Sequence, residues 1–552
     1  MKTISSILLL GLTWLLAVTA NSACAQVSNE ALGTGALQSN TTGDYDVALG
    51  DYTLFSNTTG SYNTGTGFSA LRFNTAGLYN TADGAQALYR NTGSSNTASG
   101  VNALYSNTTG NENTASGVNT LFYNTTGYSN TASGVRALYQ NTAGFYNTAS
   151  GFRSLFSNHT GYYNTANGVN SLWANSTGYS NTASGYEALY FNNGNENTAS
   201  GTSALYYNTT GYSNTASGVR ALYQNTEGFY NTAGGFRSLF SNTTGSYNTA
   251  SGVNALWANS IGVGNTASGY AALYSNNGLY NTGSGAYVLY LNSTGKYNTA
   301  SGTGALYSNT TGNYNTAIGD GALGGNTTGS ENIAVGDVAG NNLTTGSYNI
   351  DIGHVGAAGE NNTIRIGTTG TQTATYVAGI WGGNPNGGLS PVYVNSLGQL
   401  GAQASSRRFK KDIVDMGTAS ETLFSFKPVT FHYKSDTEGT PQFGLIAEEV
   451  AKICPDLVLR DDKGEIYSVR YEAVNAMLLN EFLKEHRAFL KERRKVDEQD
   501  ATISQLKSTV SQQQKGMEAL AASVKEQALK IQKVSTQIEL NKPAPRVVFK
   551  DQ

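Results

Sequence analysis

Asn96-Thr97-Ala98-Ser99-Gly100-Val101-Asn102-Ala103-Leu104-Tyr105-Ser106-Asn107-Thr108-Thr109-Gly110-Asn111-Glu112 is one unit of a long repeat. With Gly100 as anchor, 20 equivalent glycines run from Gly33 to Gly353, spaced by 17 residues or occasionally 16. Asn stands four positions before the anchor in 19 units, Ala two before in 17, and Leu four after in 18. A unit this small cannot bury a face alone, so its neighbours must stack on it. Asn-Thr-Ala-Ser-Gly and the following Ala-Leu-Tyr alternate like short strands, and Asn-Thr-Thr-Gly is turn chemistry. The sequence therefore predicts a mainly β fold, a parallel β-roll or solenoid over residues 26–367. Each coil is expected to hold two short strands and two turns, with Ala and Leu inward. At the spacing of stacked strands, about 20 such coils make a rod of roughly 90–100 Å.

Other columns follow from the same alignment. Aromatics recur five after the anchor, as at Tyr105, Phe122, Tyr139, Phe156, Trp173 and Tyr190. Such a stripe suits a carbohydrate platform or packing between chains, and the second is favoured because aromatics carry much of interface energy. Thr recurs three before the anchor in 16 coils, which raises an ice-binding alternative. The many Asn-x-Thr sequons are more simply turn and ladder residues.

Charge divides the chain. Residues 26–400 hold 8 Lys/Arg and 14 Asp/Glu, whereas 401–552 hold 24 and 22. The net charge of −3 argues against a nucleic-acid partner. Four scattered histidines and two cysteines give no metal cluster or disulfide framework, so no metal and no cofactor is expected. Met1–Ala25 has the pattern of a secretory signal, with Lys2, an apolar Ile7–Val18 run and Ala23-Cys24-Ala25 as the cleavage site. The run is too short for a membrane span. Export to the medium or cell surface is expected, with lipid anchoring at Cys24 as the lesser alternative.

Asn315-Thr316-Ala317-Ile318-Gly319-Asp320 and Asn332-Ile333-Ala334-Val335-Gly336-Asp337 resemble the head repeats of trimeric autotransporter adhesins. That resemblance implies a left-handed parallel β-roll with three chains per head. Past a neck over 368–403, in which Thr371–Trp381 and Pro391–Leu400 read as strands, a second set of motifs begins. Ala404-Ser405-Ser406-Arg407-Arg408-Phe409-Lys410-Lys411-Asp412-Ile413 is followed by Phe426-Lys427-Pro428-Val429, Phe443-Gly444-Leu445-Ile446-Ala447-Glu448-Glu449-Val450 and Ile466-Tyr467-Ser468-Val469-Arg470-Tyr471. This set resembles the endosialidase and tailspike type of intramolecular chaperone, the peptidase S74 domain, over about 404–490. The resemblance implies a small α+β module that trimerises, assists the upstream fibre and releases itself by autoproteolysis. It aligns Ser405 with the cleavage-site serine and Lys410 with its lysine partner.

The chemistry fits those residues. A serine nucleophile needs a base, and a lysine serves when burial and nearby positive charge make it neutral. Attack on the Ala404 carbonyl places the scissile bond at Ala404–Ser405. Five positions apart, Ser405 and Lys410 cannot meet on a regular helix or strand. Either a turn joins them or the site forms only in the trimer, and the second is the expectation.

From about Tyr471 to Leu540 the chain reads as one helix. Phe482, Phe489, Val496, Ile503, Val510, Met517, Val524, Ile531 and Ile538 lie seven apart, a coiled-coil seam over 491–540 that precedes a 541–552 tail. Near-identical coils specify their own alignment weakly, so a C-terminal trimeriser has a clear use. The expected protein is a homotrimeric fibre or adhesin-like rod, whose chaperone sets register and is cut away. Its outside partner would be a surface glycan or host-surface ligand, and its only catalysis one self-cleavage per chain. The alternative is a dedicated carbohydrate- or ice-binding solenoid with a non-cleaving trimeriser.

Overall fold

The computed structural model describes residues 28–372, 374–377, 391–395, 398–461 and 463–541. The expected signal segment and most of the 541–552 tail lie outside the described residues. Two compact units meet at Tyr376/Val377.

The first unit is a 21-stranded parallel sheet in which each strand pairs with the next along the chain, from β1 (Glu30–Leu32) to β21 (Ile364–Ile366). Every strand has three residues and sits in register with its neighbours, as in Thr97↔Thr114, Ala98↔Ala115 and Ser99↔Ser116. The middle residue is buried and its flanks face outward. The parallel solenoid is therefore as expected, at one strand per rung.

The second expected strand is absent. Between Val101 and Ser106 the chain runs in consecutive turns, with Asn102 at φ +58° and Leu104 at φ +52°. A left-handed leucine costs roughly 1–2 kcal/mol. Full burial of its side chain offsets this by about 1.5–3 kcal/mol, and its N–H donates to Thr120 O at 2.9 Å. At Gly100, φ is +132° and a Cβ would lie 2.6 Å from Gly117 O, so a side chain is excluded twice over.

The core is thinner in hydrocarbon than in most folds, and asparagine fills it. Asn96 and Asn107, like their equivalents, are fully buried. Asn113 Nδ2 donates to Asn96 Oδ1 at 3.1 Å and to Gly127 O at 2.9 Å, and Asn130 repeats the pattern onto Asn113. A second ladder links Asn124 to Asn107 and Asn141 to Asn124. Within each ladder the amide-to-amide bonds all run to the preceding coil, so their dipoles add within a low-dielectric core. At the donor end Asp46 takes the Asn position and accepts from Asn57 Nδ2, Asn63 N and Asn63 Nδ2. Burial nonetheless pushes its carboxyl above the usual range.

In the second unit, β22 (Tyr393–Val394) and β23 (Leu400–Gly401) form a small hairpin, where a single strand was expected, because the chain reverses between Asn395 and Gly398. The described residues of Thr371–Trp381 include no strand. β24 (Val429–Phe431) pairs antiparallel with β25 (Gln442–Gly444), and β26 (Val458–Arg460) with β27 (Ile466–Val469). Helix α1 (Ala447–Ile453) packs Val450 with Leu457, Val458, Val469, Val474 and Met477 as a compact core. Helix α2 (Tyr471–Leu540) is 70 residues long, about 105 Å at 1.5 Å per residue. Among the described residues, no helix is long and apolar enough to cross a membrane.

Candidate functional site

Ser405 and Lys410 come together within one chain. Residues Arg407–Phe409 form a single 3-10 turn, entered from an extended Ser406 and left through an extended Lys410. Phe409 N donates to Ser406 O at 3.0 Å, and Lys410 N to Arg407 O at 3.1 Å. The turn reverses the lysine onto the serine, and Lys410 Nζ donates to Ser405 Oγ at 3.1 Å. This corrects the expectation that only assembly brings the two together. The periodicity argument assumed a regular element, and a tight turn escapes it.

The site is open in the single chain. Ala404, Ser405, Arg407, Arg408, Lys410 and Lys411 are all exposed, and the Arg408 guanidinium lies 4.6 Å from the Phe409 ring centroid. No residue of the turn is buried.

Behind this segment the module is tied to the long helix by a polar network. Ser420 Oγ donates to Glu481 Oε1, Asn480 Nδ2 donates to Ser420 Oγ at 2.6 Å and to Gly417 O at 3.1 Å, and Lys484 Nζ bridges Glu481 at 2.7 Å and Glu421 at 3.1 Å. Lys484 and then Ser420 hold the Glu481 carboxyl below its usual range. Sequence reasoning missed this cluster, although Asn480, Glu481 and Lys484 occupy one face of a helix at i, i+1 and i+4. Tyr471 Oη also accepts from Leu445 N at 3.0 Å, fixing the Phe443-Gly444-Leu445 segment to the start of α2.

Residues 405–459 match the family model of the chaperone of endosialidase. The match begins at the serine that meets Lys410, ends within β26, and includes none of the array. No curated protein and no solved structure matches the chain. The C-terminal unit thus carries a chaperone-of-endosialidase segment, preceded by a long β-solenoid.

Each unit also carries a distinctive surface of its own. Along α2, the heptad positions Phe482, Phe489, Val496, Ile503, Val510, Met517, Val524, Ile531 and Ile538 are all exposed, 46–69% open. On the solenoid, the aromatic column five after the anchor is half-buried and stacks within the chain. Tyr105 lies 4.9 Å from Tyr89 and 4.9 Å from Phe122, and near-parallel stacks continue through Phe156, Trp173 and Tyr190. Both faces of these rings are covered by their neighbours, whereas a sugar platform must offer a face. Much of the ring area assigned to contacts between chains is spent inside this one.

Proposed function

We propose that the chain is an exported trimeric fibre or adhesin-like rod, whose chaperone segment aligns three copies and then leaves by Ser405/Lys410 self-cleavage. The observation that carries the reading is the match beginning at Ser405, whose hydroxyl lies 3.1 Å from Lys410 Nζ. The open heptad seam of α2 supports it, because a seam of that length is covered by copies of itself.

In the proposed step, Lys410 takes the Ser405 hydroxyl proton as Oγ attacks the Ala404 carbonyl carbon. The Ala404–Ser405 amide breaks as the Ser405 nitrogen gains a proton, leaving a free Ser405 amine and an ester on Oγ that water hydrolyses to an Ala404 carboxylate and the Ser405 hydroxyl. Neighbouring copies supply the desolvation that Lys410 lacks alone. Cleavage then follows assembly although the pair itself is built by one chain.

Intact mass of the expressed chain against Ser405→Ala and Lys410→Met tests this. A fragment beginning at Ser405 in the wild type alone supports the reading, and an uncut wild type refutes self-release. Sedimentation velocity of Ser405→Ala with and without Val510→Lys tests the trimer. A monomeric Ser405→Ala chain refutes it.

A further inference from the structure

Half of the 8 Lys and Arg residues between positions 26 and 400 stand in two matched pairs. Val135-Arg136-Ala137-Leu138-Tyr139 and, one coil on, Gly151-Phe152-Arg153-Ser154-Leu155-Phe156 form the first. They recur 84 residues later as Val219-Arg220-Ala221-Leu222-Tyr223 and Gly235-Phe236-Arg237-Ser238-Leu239-Phe240. The geometry recurs with them. Arg136 Cζ lies 5.8 Å from the Tyr139 ring centroid and Arg153 Cζ 5.8 Å from that of Phe156, on rings 5.1 Å apart. In the second pair the distances are 5.8 Å to Tyr223 and 5.7 Å to Phe240, again on rings 5.1 Å apart. Each pair therefore sets two guanidinium groups beside neighbouring rings of one stack, separated by about the coil rise of 4.8 Å.

Folding gives no reason for these arginines. All four sit at left-handed φ, +59° and +54° in the first pair and +56° and +53° in the second. That backbone suits Asn or Gly better than a long side chain, and other coils carry Asn102, Asn119, Gly304 and Gly321 at the equivalent position. Neighbouring cations also repel one another. Among the described residues none of the four makes an ion pair or a hydrogen bond, and Nε of Arg153 and of Arg237 is buried without a partner. Glu187, two coils past Arg153, is replaced by Ala271 at the matching place past Arg237, so no acid of that column accompanies both pairs. Arg136, Arg153 and Arg237 are only partly buried and Arg220 is exposed. An arrangement that the coil disfavours, built twice with one geometry, answers to a partner of opposite charge.

We infer that each pair binds a sulfate ester of a polysaccharide, and that the two pairs engage one extended polymer. The sites go beyond the fibre reading and need only the coils of one chain. A single arginine fork satisfies the two oxygens of a carboxylate. Two forks side by side suit an anion with three outer oxygens, which a sulfate ester presents and a uronate does not. The second guanidinium of each pair is also held against another ring, Arg153 Cζ lying 4.9 Å from the Phe152 centroid and Arg237 Cζ 4.9 Å from that of Phe236. That packing sets the forks in place before the anion arrives. The pairs lie five coils, or about 24 Å, apart along the array, so a linear polymer that reaches both gains from the second contact. The ring stack thus serves as a scaffold for charge, and its covered faces are no obstacle.

Tryptophan emission of the full chain in a Ser405→Ala background tests the assignment. Trp14→Phe and Trp381→Phe leave Trp173 and Trp257, whose rings stack 5.7 Å from Phe156 and Phe240, beside the second arginine of each pair. Dextran sulfate should change that emission and bind at least about tenfold more tightly than polygalacturonate of matched length, a carboxylate polymer. Arg136→Asn with Arg153→Asn installs the residue of Asn102 and Asn119, so the melting temperature should hold, and loss of one of the two pairs should weaken binding at least about tenfold. Arg90→Asn with Lys296→Asn removes the same charge from exposed places outside the pairs and should weaken it less than about threefold. Emission unmoved by dextran sulfate, equal affinity for the two polymers, or equal weakening in the two double variants overturns the assignment. Tighter binding of polyphosphate than of dextran sulfate overturns the choice of sulfate. All of these outcomes leave the mass and sedimentation tests of the fibre reading untouched.

Discussion

Replacing Asn113 by alanine tests whether the amide ladders hold the solenoid. The side chain makes four hydrogen bonds: two donated by Nδ2, to Asn96 Oδ1 and Gly127 O, and two accepted by Oδ1, from Asn130 N and Asn130 Nδ2. Gly127 O keeps a donor in Asn124 Nδ2 at 2.9 Å, and Asn96 Oδ1 keeps Asn113 N at 3.0 Å. The groups left stranded are the Asn130 backbone N–H and one N–H of its amide. Each buried orphan costs about 1–3 kcal/mol, so the coil should lose about 3 kcal/mol, or roughly 100-fold in its opening equilibrium. Hydrogen–deuterium exchange over residues 110–133 reads this directly. Asn111→Ala is the matched control, because Asn111 is exposed and accepts one bond, from Ser94 N at 2.7 Å. It should change exchange by about threefold or less. Exchange in Asn113→Ala within about threefold of wild type would refute the ladder as a structural element.

Gly302→Ala places a Cβ 2.2 Å from Gly319 O at φ +129° and should destabilise its coils by more than about 2 kcal/mol. Gly516→Ala, inside α2 with nothing near the added carbon, should stabilise the helix by about 1 kcal/mol; circular dichroism melts separate the two. Asp351 is buried at the end of the array, and burial, then Glu360, pushes its carboxyl up to about 6. A raised folded value makes the protonated form the stabilising one, present in full below the unfolded pKa of about 3.9 and lost as pH rises through about 6. Asp351→Asn should therefore protect residues 343–366 from exchange better than wild type at pH 7.5, and equally well at pH 4. Glu481 shows the opposite sign: its depressed pKa stabilises the module above the unfolded value of about 4.3 and that contribution fades as pH falls through the lower folded value. Glu481→Gln should flatten the acid limb of a melting-temperature profile of the C-terminal unit.

The period was legible because its cause is local. An anchor glycine with no room for a Cβ leaves the same mark in every coil, and the inward Ala and Leu follow from it. The second strand was misread because Ala103-Leu104-Tyr105 alternates like a strand while Asn102 and Leu104 sit at positive φ, which side-chain pattern does not report. Asn96 was read as part of a short strand and Asn107 as a turn residue, yet the amide of each completes a buried ladder; only their regularity in both columns hinted at that use. Ser405 and Lys410 were expected to meet only in an assembly, whereas a three-residue turn brings them together within one chain.

The coils of the array stack alike from end to end, and buried carboxylates at Asp46 and Asp351 mark its two extremities. Duplicating or deleting one 17-residue coil changes reach by about 4.8 Å and leaves both extremities as they were. Length is thus a parameter that unequal recombination within the gene can tune like a ruler, one notch at a time, without redesigning either end.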